Sequence, residues 1–396
     1  MMSSLLPPKE EIQTILASLA YGTATEENAR ILDIGTDKYL KYFEKEIFNE
    51  YIEQGGATCR FFEGMSGSGK THILRLIERM AVERGYIVCY IELRQNQNLT
   101  EWDQVVKHIL EKMKVSINGK EIKKFPEILA ALEGTSWTTP GKLDEVSLEH
   151  PCIKKAITFA VRRSKLKPEE WDCLRRYLMG EKIPVPELKR HGLKGIKKSI
   201  TKNNAEQSLN TILNSIHYLG MNGVILLFDE TDRSLTSIRD PIPKKVQMAA
   251  NLIRRFIDSC SAGDIKGTCA IFAVQPNFIR QCAACYPALG QRLNFNMDKL
   301  GMLAWRWSLL ETNSVNALLN KIDNPSMKKQ VFFHEMKKKF AELVEHCDGD
   351  MENIETYFDE EGAQELEKNA GDEYKRAVIK VLAECALIRI EDTGTS

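Results

Sequence analysis

The chain has 396 residues, 43% apolar and 28% charged, which is ordinary for a globular protein and long enough for two or three domains. Its formal net charge is zero, and nowhere do about eighteen apolar residues run together, so membrane insertion is excluded from the reading. Leu5-Leu6 is cut at once by Pro7-Pro8, which is not the form of a signal peptide, and the expected location is cytoplasmic. The ten cysteines are scattered, several inside apolar runs where a reduced thiol packs as a small hydrophobe. Only Cys282 and Cys285 make a CxxC, and no second Cys/His pair lies nearby at zinc-finger spacing, so helix packing is expected there.

Ile12, Ile15, Leu16 and Leu19 recur at helical spacing after the Pro-Pro breaker and predict a helical lead over residues 1–30. Ile31 to Thr36 is an apolar patch ending in a glycine turn. Asp37 can cap the next helix, whose stripe is Tyr39, Leu40, Phe43, Ile47, Phe48 and Tyr51 and which Gly55-Gly56 closes. The expectation is a strand, a loop and a helix ahead of the most informative stretch of the chain.

That stretch is Gly64-Met65-Ser66-Gly67-Ser68-Gly69-Lys70-Thr71, which fits G-x-x-x-x-G-K-[ST]. Glycine-rich backbone can wrap its N–H groups around phosphates, the lysine reaches the β- and γ-phosphates, and the hydroxyl takes a place on Mg²⁺. The context is right: Cys59 to Glu63 is β-prone, and Ile73, Leu74, Ile77 and Met80 recur at helical spacing, so the loop opens a helix whose N-terminus, with His72 in its first turn, favours anions. In many P-loop ATPases an apolar residue and a glycine just upstream contact adenine, which makes Ile34 and Gly35 candidates, with packing as the alternative.

Tyr86 to Leu93 reads as a strand covered on both faces. From Thr100 to about Leu219 the patterning is helical, over Trp102 to Met113, Phe125 to Leu132, Ile153 to Val161, Pro168 to Leu178 and Ala205 to Leu219, with no further strand expected. Gly223 to Glu230 is a buried strand ending in two acids. Asp229 can hold Mg²⁺ through water, and Glu230 can polarise an attacking water. Thr268 to Val274 is another buried strand, followed by Gln275, the first candidate for a polar residue between the acids and the γ-phosphate, with Asn277 second. Arg292 follows about a helix later and could neutralise charge on a transferred phosphoryl group. Beyond Leu300 the chain reads as helical, with Trp305, Trp307, Leu309 and Leu310, then Val331 to Val344, then a last helix from Tyr374.

Charge is uneven along the chain. Residues 150–202 hold 15 Lys+Arg against 5 Asp+Glu, and residues 341–396 hold 5 against 16. The basic segment, with Lys154, Arg162, Arg163, Arg175, Arg176, Lys197 and Lys198, could follow a nucleic-acid backbone, or it could be a solvated or internally docked face.

The order GGATCRFFEGMSGSGKTHILRLIE, GYIVCYIEL, a helical insert with EHPCIKKAI and LMGEKIPVPELKRHGLKGI, then LGMNGVILLFDETD and YPALGQRL, resembles the P-loop ATP-binding proteins of BREX-type bacterial antiphage systems, from about Asn28 to Leu293. The resemblance implies a STAND/AAA+-like ATPase using ATP and Mg²⁺, encoded beside defence partners such as a helicase, methyltransferase or nuclease. By resemblance Lys70 and Thr71 take the phosphates and Mg²⁺, Asp229 and Glu230 are the acids, and Arg292 is the arginine after the last core strand. Such ATPases often carry Gly-Arg in the upstream box, whereas Thr36 follows Gly35 here.

The expected fold is therefore α/β: a P-loop NTPase core, a three-layer αβα arrangement with a mainly parallel sheet, over residues 31–300, with a helical insertion at about 100–205. Residues 301–396 would form a C-terminal helical lid or winged-helix-like domain. The expected activity is ATP hydrolysis driving a switch or motor in a defence complex, in a chain that could self-assemble. The alternatives are a DNA-binding adaptor in which ATP only sets conformation, and a small-molecule kinase.

Overall fold

Largely apolar runs that follow a glycine make the inner strands, and shorter, more polar strands join them in one sheet. Its members are β1 (Ala57–Glu63), β2 (Ile87–Glu92), β3 (Met113–Ile117), β4 (Lys120–Lys123), β5 (Val224–Asp229), β6 (Thr268–Val274) and β7 (Leu318–Lys321). The order across the sheet is β4-β3-β2-β5-β6-β1-β7. The computed structural model describes residues 6–23, 25–65, 67–93, 101–135, 140–229, 244–275, 278, 282, 287–292, 318–321, 329–347, 360–370 and 373–394. Among them no helix is long and apolar enough to cross a membrane.

Strands β2, β5 and β6 are parallel neighbours, in register at Ile91↔Phe228 and Phe228↔Phe272. Near its start β1 meets β6 through Thr268 N–H and Gly56 C=O at 3.2 Å, and near its end through stacked Phe61 and Phe272 rings 5.4 Å apart. The two strands therefore run the same way, and the carboxyl ends of β1, β6, β5 and β2 share one edge. Crevices outside that edge are where open α/β sheets take ligands.

Alternation along each strand splits the side chains between two faces. Cys59, Phe61, Cys89, Ile91, Leu226, Phe228, Ala270 and Phe272 look toward a large apolar core shared with the helices Trp102–Lys112, Phe125–Ala131, Pro151–Ala160, Pro168–Leu178 and Ala205–Tyr218. Phe228 and Phe272 stack there at 4.6 Å. The opposite face buries Arg60 completely, beneath a π-helical segment Phe43–Ile52 whose Phe43 ring lies 5.6 Å from Phe62. Burial lowers the pKa of the Arg60 guanidinium, and burial also drives the nearby Cys269 thiol up to about 12, so that sulfur stays a protonated packing group.

The five helices expected in the central region fall where periodicity places them, within a residue or two at each end, and the short helices Pro140–Glu145 and Val185–Arg190 were not expected. Three other features differ. Residues 113–123, expected to be helical or connecting, form the β3-β4 hairpin, paired at Val115↔Ile122 and antiparallel to β2. Asn118 and Gly119 sit at φ of 53° and 77°, the left-handed pair a two-residue turn demands, and this Asn-Gly is the signal that the helical reading passed over. The patch at residues 31–36 is no strand: the helix Glu26–Ile31, closed at its start by reciprocal bonds between Thr25 and Asn28, ends there and a turn follows. Beyond residue 300 the chain is not wholly helical, since β7 joins the sheet, while Trp305, Trp307, Leu309 and Leu310 lie outside the described residues.

By packing, the chain divides into two units. One comprises Tyr42–Phe62 and Glu78–Asn320, the sheet and central helices just described. The other comprises Met1–Lys41, Glu63–Ile77 and Lys321–Ser396. In this second unit the helix Lys9–Ala20 and the helices Lys329–His346, Glu360–Ala370 and Tyr374–Gly394 share one apolar core, with Ile12, Leu16, Phe340, Leu343, Val378 and Leu382 fully or almost fully buried.

Candidate functional site

At its carboxyl end β1 hands over to the glycine loop, and the helix Lys70–Glu83 starts directly after Gly69. Gly67 and Gly69 take φ of 77° and 101°, values that cost a side-chain-bearing residue strain, so the loop's course depends on glycine at these two positions. Ser68 N–H bonds Met65 C=O at 3.2 Å, and Ile73 N–H bonds Gly69 C=O at 3.0 Å as the first helical turn closes. The first-turn amides of Lys70, Thr71 and His72 belong to the set that no helix can satisfy from within. The Lys70 ammonium donates to Gly64 C=O at 2.6 Å and Met65 C=O at 2.9 Å, folding back over its own loop. Ser68 Oγ is buried there with no hydrogen-bond partner among the described residues. A loop of glycine-freed amides, a lysine and an unsatisfied hydroxyl can take up an anion with several oxygens.

The turn that follows the helix Glu26–Ile31 lies against this loop's helix. Asp33 is 3.6 Å from His72 Nε2 and accepts a 2.5 Å hydrogen bond from Thr36 Oγ1. Ile34 is partly buried against the helical core of its unit, and Gly35 is exposed with φ of 73°. The sequence reading singled out Ile34 and Gly35 and passed over Asp33, whose carboxylate makes the link to the first turn of the helix.

Asp229 stands at the end of β5, 3% exposed, and accepts a 2.6 Å hydrogen bond from Tyr90 Oη. The register explains the reach. Tyr90 pairs with Leu227 and Glu92 with Asp229, so Tyr90 and Asp229 are diagonal neighbours on one face of a parallel pair, a separation a tyrosine can span. Tyr90 was not singled out from the sequence, because only the pairing of β2 with β5 brings it to the acid. Gln275 follows β6, exposed, on the strand that lies between β1 and β5. Arg292 closes the short helix Pro287–Arg292, with its side chain outside the described residues, as are Ser66, Glu230 and Asn277.

Three arginines of the basic segment are paired with neighbouring acids. Arg162 pairs with Asp144 at 2.7 Å, Arg175 with Asp172 at 3.1 Å, and Arg176 with both Glu181 and Glu187. The hydrogen bonds it donates to those two carboxylates raise the Arg176 pKa further above its already high ordinary value. Arg163 lies over the Trp171 ring at 4.9 Å and bonds Leu166 C=O, and Lys154 donates to the carbonyls of Asp144 and Val146. Lys197 and Lys198 are exposed.

A mixed α/β sheet protein, with a glycine-lysine loop between a buried strand and a helix, is compatible with a P-loop nucleotide-binding core. The sequence matches the family of BREX system ATP-binding proteins BrxC/D over residues 8–128 and 167–354, and the chain belongs to that family. No curated protein matches it.

Proposed function

We propose that this chain is a Mg²⁺-dependent ATPase, built on a P-loop NTPase core, that works as a nucleotide-driven switch or motor in a bacterial antiphage defence complex. The loop from Gly64 to Thr71 carries the reading: its positive-φ glycines, its lysine and its first-turn amides form an anion cradle in a chain of the BREX ATP-binding family. Lys70 exchanges loop carbonyls for β- and γ-phosphate oxygens. The Thr71 hydroxyl and the Asp229 carboxylate are hard oxygen donors, the kind Mg²⁺ takes when phosphates and waters complete its shell. When bound, Mg²⁺ neutralises charge on the phosphate oxygens. Glu230 orients and deprotonates the attacking water, Gln275 monitors the γ-phosphate, and Arg292 offsets charge that develops during transfer.

Turnover of ATP by the wild type and by Glu230→Gln is the test, and loss of about 10²-fold in rate is expected. Equal rates would remove Glu230 from the mechanism. Other components of the same defence system are the proposed partners, a helicase, methyltransferase or nuclease among them, and self-assembly on ATP would give Arg292 a site in trans. The adaptor reading, in which DNA binding is the main task, loses most of its arginines to the internal pairs described above and retains Lys197 and Lys198.

A further inference from the structure

Tyr90 plays no part in the P-loop scheme just given, yet its hydroxyl makes a hydrogen bond with the acid on which that scheme depends. We propose that Tyr90 is the positioning residue for Asp229, setting the carboxylate so that its charge is presented to a divalent cation in one orientation. This rests on the ATPase reading, and extends it to the residue that governs its metal requirement.

Three observations carry the assignment. The Tyr90 hydroxyl donates to Asp229 Oδ2 at 2.6 Å, the short distance expected when an O–H meets a charged acceptor. Asp229 is almost completely buried at the strand end, so water contributes little to holding its carboxylate in a single rotamer. The geometry is also built into the sheet: Tyr90 is fixed by the parallel register of β2 on β5, through Ile87↔Val224 to Glu92↔Asp229, and cannot drift from the acid without breaking that ladder. Its ring is half-buried on the face opposite the large apolar core, so the hydroxyl is the part of the side chain that distinguishes it from phenylalanine. A partner that hydrogen-bonds a metal-ligating carboxylate both orients it and tunes its strength as a ligand, and removing such a partner commonly lowers metal affinity by about 10–100-fold.

The experiment compares the full chain with Tyr90→Phe and Asp229→Asn. Binding of a fluorescent non-hydrolysable ATP analogue is followed by anisotropy, first in EDTA and then across a Mg²⁺ titration. For Tyr90→Phe the expected result is a Mg²⁺ midpoint about 10-fold higher, with analogue affinity in EDTA unchanged. Asp229→Asn should raise the midpoint at least as much. A merely structural role for Tyr90 would lower the EDTA affinity by the same factor as the affinity in Mg²⁺ and leave the Mg²⁺ midpoint in place, and that result overturns the proposal. A Mg²⁺ midpoint unchanged in Tyr90→Phe but raised in Asp229→Asn also overturns it while leaving the ATPase reading intact. A wild type that binds no analogue, or whose binding ignores Mg²⁺, overturns both.

Discussion

Replacing Lys70 by alanine puts a number on the anion cradle. The ammonium donates at 2.6 and 2.9 Å to two neutral carbonyls, Gly64 and Met65. For these two bonds phosphate binding creates no lysine contact from nothing; it exchanges a neutral acceptor for a charged one. The ammonium makes charge-assisted bonds in both cases, and an anionic acceptor adds Coulomb attraction of about 4 kcal/mol at about 4 Å and an effective dielectric of about 20, part of which is lost to desolvation, so the exchange should favour binding by about 2 kcal/mol. At about 1.4 kcal/mol per factor of ten, Lys70→Ala should weaken ATP binding roughly 30-fold. The assay is nucleotide-induced stabilisation, since a ligand at about 100 times its dissociation constant stabilises the native state by about 2.7 kcal/mol. With affinity lowered roughly 30-fold, the same ATP concentration leaves about 0.9 kcal/mol by the same relation. The melting-temperature rise on adding ATP should therefore shrink to about a third. Lys70→Arg keeps the charge but not the compact ammonium, and should fall between the two. A variant without the lysine that gains as much stability from ATP as the wild type would refute the exchange.

Other outcomes follow from the same geometry. At Gly119 a Cβ would meet nothing within 4 Å, so Gly119→Ala tests backbone strain alone at φ of 77°; it should cost about 1–2 kcal/mol, read as a lowered urea midpoint with unchanged slope. Phe272→Ala removes the ring stacked between Phe61 and Phe228 and should destabilise the sheet-bearing unit by about 3–5 kcal/mol, seen as an earlier thermal transition. His150 is held neutral by burial, its folded pKa below the unfolded value of about 6.5, so the unfolded chain binds the extra proton: stability is fully present above that value and is lost as pH falls below it. His150→Gln should flatten that acid-side decline in a series of urea melts between pH 7.5 and pH 5, values set by the experiment and spanning the histidine range of about 5–8. Charge reversal at Arg175 and Arg176, which are internally paired, should leave the salt dependence of DNA association unchanged, whereas reversal at Lys197 and Lys198 should reduce the slope by about 2 if those lysines meet phosphates.

What could be read from the sequence depended on the range over which each signal acts. Helix period and strand run are local, which is why Pro168–Leu178 and Val224–Asp229 are legible from a window of a dozen residues. The β3-β4 hairpin was just as local, with Asn118-Gly119 in plain view, and it was passed over because Val115, Ile117 and Ile122 lie amid long helical patterns. The joint core of Ile12 with Phe340 and Val378 is different in kind: a helical stripe shows that a face is buried and carries no information about what buries it. The charge of residues 150–202 is legible only in part for the same reason. Composition already counts Glu181 and Glu187 against the basic residues, and only the fold shows that both of them meet Arg176.

The candidate site divides along the same line. The loop from Gly64 to Thr71 announces itself because its chemistry needs a contiguous motif, glycines where φ is positive and a lysine one residue before the hydroxyl. Tyr90 and Asp33 have no such constraint. Tyr90 reaches Asp229 across 139 positions of sequence, through a diagonal of two parallel strands that no pattern within either strand encodes. Asp33 reaches His72 from a turn that the sequence reading took for the end of a strand. Contacts such as these are specified by sheet register and turn geometry, so a contiguous motif can be read from the sequence while the side chains that meet it from elsewhere must be read from the fold.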